Sequence, residues 1–199
     1  MVNRKETPLT ATDRLRQVIL DTAAVRFQAE VTTLARSMVA LGDSVYGASC
    51  VGVGKGSNAW SEEELKALEL GVVGGFARGC RNGGIEQFAL LSAVGSTAKS
   101  RFRYVRVMGL KEEAVQGIGF KRLAIFRPGI IGGNVHTPGY VAWLGRLLPG
   151  RFGTIDQDDI GCAFAAEFAS SSAPNGVVYL ENAAMKQRSR AVARRGAGV

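Results

Sequence analysis

Apolar and polar positions alternate between two periods along this chain. Leu15 to Leu20 (LRQVIL) and Ser44 to Val53 (SVYGASCVGV) are short, β-branched runs that read as strands. Trp60 to Arg81 switches to helical spacing, with Leu65, Leu68, Val72 and Phe76 on one face. Ser61 followed by Glu64 forms a capping-box pattern at its start, and Asn82-Gly83-Gly84 stops it. Gln87 to Leu91 reads as a short apolar strand of the kind that a parallel sheet covers on both faces. Phe102 to Gln116 is the next helix, closed by Gly117 and Gly119, and Arg122 to Phe126 the next strand. Asp158 to Phe168 reads as helix and Gly176 to Leu180 (GVVYL) as strand. Strand and helix in turn, joined by short glycine-bearing connections, predict a parallel α/β sheet. No repeat or long linker divides the chain, so residues 1–199 read as one domain with a basic tail from about residue 186.

Composition changes this picture little. The 199 residues carry a net charge of +8. No acid follows Glu181, whereas Lys186, Arg188, Arg190, Arg194 and Arg195 do, and such a run reads as a solvated terminus. Elsewhere basic and acidic residues are interspersed without an aromatic-basic motif, so nucleic acid is not an expected partner. No apolar run has the length of a transmembrane helix, and the start, MVNRKETPLTATDR, has no apolar core of a signal peptide. Cys50, Cys80 and Cys162 lie far apart and read as small buried hydrophobes in a reducing compartment. Together these features predict a cytoplasmic protein, with peripheral contact to an organelle membrane left open.

Few residues offer chemistry by themselves. His136 is the single histidine, so a histidine-rich metal site is excluded, and Asp156, Asp158 and Asp159 are more simply read as a helix start than as a metal cluster. Gly54 to Ala59 fits G-x-G-x-x-A between a strand and a helix. The helix cap falls after it, at Ser61, and the following strand ends at Leu91-Ser92 without the ribose-binding carboxylate, so it reads as a plain glycine-rich connection.

The stretch Gln87 to Gly129 resembles the active-site half of the short-chain dehydrogenases. A strand ends in Ser92, the next helix carries Tyr104, and the strand after it ends in Arg127-Pro128-Gly129. From about Leu15 to Arg188 the chain is similar to the Tat-interacting-protein-like branch of the atypical short-chain dehydrogenases. The pieces LRQVILD, SVYGASCVGVGKG, LLSAVGS, FRYVRVMGLKEEAV, LAIFRPGIIGG, TIDQDDIGCAF and VVYLENAAM carry this likeness by their order and spacing.

The resemblance implies a three-layer Rossmann-like fold and NADP(H)-dependent carbonyl/alcohol redox chemistry on a small carbonyl substrate. Ser92 would hydrogen-bond the substrate oxygen and Tyr104 would be the acid/base. Arg4, ending the second strand, would meet the 2′-phosphate and Asp21 would sit by the adenine. Gly52, Val53, Gly54 and Lys55 would line the nucleotide after the fourth strand, and Arg127, Pro128 and Gly129 would border the nicotinamide.

Two departures weaken that chemistry. The family's lysine, four residues after the tyrosine, is here Met108, and a tyrosine that titrates near 10 in water needs a nearby cation to work at neutral pH. Lys111 lies two helical turns from Tyr104, about 10 Å along the axis. Arg106 points elsewhere and Lys99 falls on a loop, so none of the three is expected to replace it. Family members also begin with a strand and a G-x-x-G-x-x-G turn, whereas here only Val2 to Lys5 corresponds to the second strand. Weak cofactor binding and impaired catalysis are therefore expected, and a non-enzymatic, partner-binding scaffold is the alternative. One remnant strand is expected to move in beside Ser44 to Val53, or else residues 1–40 to be loosely held.

Overall fold

The computed structural model describes residues 1–8, 15–42, 44–52, 59–132, 150–170 and 174–196. Its centre is a four-stranded sheet in the order β3 (Tyr46–Ser49), β4 (Gln87–Leu91), β5 (Arg122–Arg127) and β8 (Gly176–Glu181). Two short pairs flank it, β1 (Val2–Asn3) with β2 (Val18–Ile19), and β6 (Ile130–Gly132) with β7 (Thr154–Asp156). Every described strand pair is parallel. The helices are α1 (Phe27–Val39), α2 (Glu62–Lys66), α3 (Val73–Asn82), α4 (Arg103–Gln116), α5 (Gln157–Phe168) and α6 (Asn182–Gly196).

Period-two alternation splits the sheet's side chains between two cores. Phe88, Leu90, Leu123 and Ile125 face one way, onto Phe27 and Val31 of α1, Val73 and Ala77 of α3, and Val115 of α4. Ala89, Ala124, Phe126 and Leu180 face the other way, onto Ile160, Ala163 and Phe164 of α5 and Met185 of α6. Phe126 stacks on Phe164 with ring centroids 3.9 Å apart. The result is three layers, helices on both faces of a parallel sheet, which is why β4 and β5 carry apolar residues at consecutive positions.

The helix signals act as the sequence predicts at one site and differently at another. The Ser61 hydroxyl accepts from the Glu64 N–H, and the Glu64 carboxylate accepts from the Ser61 N–H, closing the capping box. Between α2 and α3 the backbone widens into a π-helical turn, Ala67–Val72, that the side-chain pattern does not betray. α3 ends at Asn82, and Gly84 adopts φ +98°, the left-handed conformation that favours glycine. Asp156 is the first flanking residue of α5, as expected, although its side chain makes no capping hydrogen bond.

Several expectations are corrected. Neither remnant strand pairs with β3. β1 pairs with β2 instead, because Val2 and Asn3 find partners in Val18 and Ile19 across a short connection. Residues 1–40 are not uniformly loose, since Phe27, Val31 and Ala35 of α1, an element the sequence reading missed, are buried against α3. The basic stretch after residue 186 is helical, continuing α6, with Arg190 and Arg194 exposed. There Lys186 donates to the Thr154 carbonyl at 2.8 Å, and Arg188 pairs with Glu167. Of the cysteines only Cys80 is buried, whereas Cys50 is exposed at the end of β3.

Candidate functional site

The candidate site lies at the carboxyl ends of β3, β4 and β5, where open parallel sheets place their ligands. Ser92 follows β4 directly. Its N–H donates to the Phe126 carbonyl at 2.8 Å, and its hydroxyl lies 3.2 Å from that of Ser96. Ser96 in turn donates to the Ala93 carbonyl at 2.6 Å, so the loop after β4 is held by its own serines. Gly109 lets α4 press on this loop, because a Cβ there would overlap the backbone of Thr97 and Ala98.

Tyr104 lies in the first turn of α4, and Met108 one turn on is fully buried. The charge that the sequence places nowhere is found inside the fold. Lys111, 1% exposed, donates from Nζ to Glu69 Oε2 at 2.8 Å and to the Leu91 carbonyl at 3.0 Å, one residue before Ser92. Glu69, 0% exposed, is presented by the π-helical turn, and its Oε1 has no hydrogen-bond partner among the described residues. Oε1 is oriented toward Gly52, whose added Cβ would lie 4.0 Å from it. Lys111 therefore reaches the carboxyl end of β4, and it does so without a described hydrogen bond to Tyr104. It arrives already neutralised.

The electrostatics follow from this pair. Burial pushes the Tyr104 hydroxyl up to about 12, and the Glu69 carboxylate adds to the rise. Burial likewise raises Glu69, against the opposing pull of Lys111. The Cys50 thiol is raised by the protein packed around it, although Lys111 acts the other way. A phenol used as acid/base near neutrality needs the opposite field.

Glu69 and Lys111 are the residues sequence reasoning missed. Each sits at helical spacing between two fully buried positions, Leu65-Glu69-Val73 and Val107-Lys111-Val115. Opposite charges inside two apolar stripes were the available signal.

The other residues singled out from sequence distribute as follows. Arg4 follows β1 and Gly52 follows β3, both lining a cleft of ≈ 770 Å³. Asp21 follows β2, where its carboxylate accepts from the Ala23 N–H at 3.0 Å. Arg127 ends β5, but its guanidinium is engaged, pairing with Glu112 and lying 4.2 Å over the Tyr179 ring. The Pro128 carbonyl accepts from Val94 N–H, and Gly129 N–H donates to Asn182 Oδ1, so this turn ties β5 to the serine loop and α6. Val53, Gly54, Lys55 and His136 lie outside the described residues.

A dinucleotide would need a pyrophosphate cradle at a helix amino terminus. The start of α2 does not fit one. Glu62, Glu63 and Glu64 occupy its first turn, and its cap is already closed by Glu64. The start of α1 has no side-chain cap, and among the described residues no glycine turn opens it. Among the described residues, neither helix start meets the pyrophosphate requirement.

No protein-family model matches the chain. Residues of the chain are 32% identical over 138 positions to the protein Fmp52, mitochondrial, of Aspergillus niger, covering 65% of this chain and 58% of that protein. The similarly named Candida albicans protein is 29% identical over 123 positions, covering 57% and 53%. The chain thus spans little more than half the length of these curated relatives. Among solved structures, Bordetella bronchiseptica WbmH in complex with NAD+ superimposes with a TM-score of 0.63 at 13% identity, covering 98% of this chain and 72% of that one. MoeE5 in complex with UDP-glucose and NAD follows at 0.61 and 12%, covering 90% and 66%. The fold is Rossmann-like. It is the architecture of NAD-binding dehydrogenases, reached at identities that speak for the fold alone. The expected cytoplasmic location does not stand, because the relatives are named as mitochondrial proteins.

Proposed function

We propose that this chain is a mitochondrial, short-chain-dehydrogenase-like protein of the Tat-interacting-protein-like branch, derived from NADP(H)-dependent carbonyl/alcohol oxidoreductases and impaired in their chemistry. The mitochondrial part rests on the names of the Fmp52 relatives. The observation that carries the impairment is the buried Glu69–Lys111 pair, which places a carboxylate rather than a free ammonium in the field of Tyr104. In this reading Ser92, after β4, and Tyr104, in the first turn of α4, would face a polar substrate group, and Lys111, held by Glu69, would not supply the cation that lets Tyr104 exchange a proton with it. Arg4, Asp21, Gly52, Val53, Gly54 and Lys55 would form the nucleotide side, and Arg127, Pro128 and Gly129 the nicotinamide side. Because neither described helix start suits a pyrophosphate, NADPH fluorescence titration of this chain is expected to show no tight complex, and NADPH is expected not to be consumed with small ketones. A dissociation constant in the low micromolar range, roughly −8 kcal/mol, overturns the reading.

The second reading, a scaffold that binds a protein partner, is favoured by one observation. The cleft beside β3 is lined with apolar side chains, Phe27, Val31 and Val73 among them.

A further inference from the structure

The loop between β4 and α4 ends in a patch that the Ser92 and Tyr104 roles leave unused. From Glu86 to Glu112 the chain carries no acid in between, and it sets Lys99, Arg101 and Phe102 side by side just ahead of Tyr104. All three are exposed, Phe102 at 77%. The segment that exposes them is firmly held. Thr97 N–H donates to the Val105 carbonyl at 3.3 Å, Ser100 N–H to the Thr97 carbonyl at 3.1 Å, and Phe102 N–H to Ser100 Oγ at 3.1 Å. The Arg106 guanidinium donates to the carbonyls of Ser100 at 2.9 Å and Arg101 at 3.3 Å. Neither Lys99 nor Arg101 has an ion-pair partner among the described residues, and Glu62, which reaches this loop through Arg106, is also held by Lys66. An aromatic ring kept out of the core by a fixed loop, with a free cation on the same short stretch at either hand, suits a ligand that is apolar in one part and anionic in another.

We propose that Lys99, Arg101 and Phe102 form the substrate-recognition rim of the Ser92–Tyr104 site, and that the site takes an anionic amphiphile, a single-chain molecule with a phosphate or carboxylate head. Lys99 and Arg101 hold the head, and the chain lies on the Phe102 ring, replacing water there. Phe102 is two residues from Tyr104, so their Cα atoms are at most about 7 Å apart, and a chain resting on Phe102 lies beside the candidate site. Both halves of the ligand are needed. A bare anion leaves the ring wet, and an uncharged chain leaves both cations without a partner.

The inference rests on the dehydrogenase-like reading of this site and deepens it, and the two fail separately. Tight NADPH binding would overturn the impairment and leave the rim standing, whereas the rim is decided by titrating the full chain with octyl phosphate below its micelle concentration. Calorimetry is expected to find saturable one-to-one binding that weakens as salt is added, with inorganic phosphate and 1-octanol each weaker by about tenfold or more. Amide shifts in NMR spectra are expected to be confined to residues 92–106. Lys99→Gln/Arg101→Gln and Phe102→Ser change exposed side chains, so unaltered circular dichroism is expected, with octyl phosphate binding weakened about tenfold in each. Absence of octyl phosphate binding overturns the rim, as do equal affinities for inorganic phosphate, shifts elsewhere on the surface, or variants that bind as the parent chain does. Sedimentation with phosphatidylcholine–phosphatidylglycerol vesicles closes the test. Vesicle binding that both variants abolish, without binding of monomeric octyl phosphate, makes the patch a membrane contact and likewise overturns it.

Discussion

Lys111 and Glu69 sit where a chain ordinarily places leucine, and their energetics differ from those of a surface pair. Two charges leave water together, so their attraction is largely spent on their own desolvation. Removing one partner strands the other. Glu69→Leu and Lys111→Met are each expected to destabilise the fold by about 3–5 kcal/mol. The double variant Glu69→Leu/Lys111→Met is expected to recover most of that loss, and denaturant titration of the four proteins checks the cycle. The double variant also separates field from packing. With Glu69 gone, the hydroxyl of Tyr104, now held up at about 12, is expected to titrate lower, read as the absorbance change absent from a Tyr104→Phe control. An unchanged Tyr104 titration would leave burial as the whole cause. Met108→Lys, the obvious repair, would put a new ammonium at a position 1% exposed, and a loss of stability is expected before any gain of function.

At the scale of elements, the site depends on how closely α4 approaches the loop after β4. Gly109 permits that contact, and the same helix carries Tyr104 and Lys111. Gly109→Ala would normally favour a helix, by about 1 kcal/mol. Here the added methyl meets backbone, so a net loss of about 1–3 kcal/mol is expected in urea unfolding. A stabilised variant would mean that α4 does not press on residues 97–98. The π-helical turn Ala67–Val72 has a related role, because it carries the Glu69 that meets Lys111.

For the whole molecule, acid stability follows from the pairs that close the second core. Burial pushes the Glu167 carboxyl up, but the hydrogen bonds from Arg122 and Arg188 outweigh it and leave it below the usual carboxylate range. A lowered folded-state value means that the unfolded chain takes up this proton first. The stabilisation is therefore present above the ordinary glutamate value near 4 and is lost as pH falls through the folded-state value. Thermal unfolding between about pH 6 and 3 is expected to show this loss, reduced in Glu167→Gln. Glu69, with its raised value, works in the opposite sense. Its contribution is greatest below the unfolded glutamate value and fades as pH rises through the folded one, so its charge lowers stability at neutral pH.

The pattern of apolar positions determined the parallel α/β class, β4 and β5, and the capped start of α2. Those features depend on neighbours a few residues away, through strand alternation, helix periodicity and local capping. The places of Ser92 and Tyr104 were legible for the same reason, as each is marked by the element that ends or begins beside it. Tertiary structure alone decided which charge Tyr104 feels. Glu69 and Lys111 are 42 residues apart, and only the packing of the π-helical turn against α4 brings them to 2.8 Å. It also decided that β1 pairs with β2 and not with β3, because strand pairing is a competition between distant edges that no local pattern records.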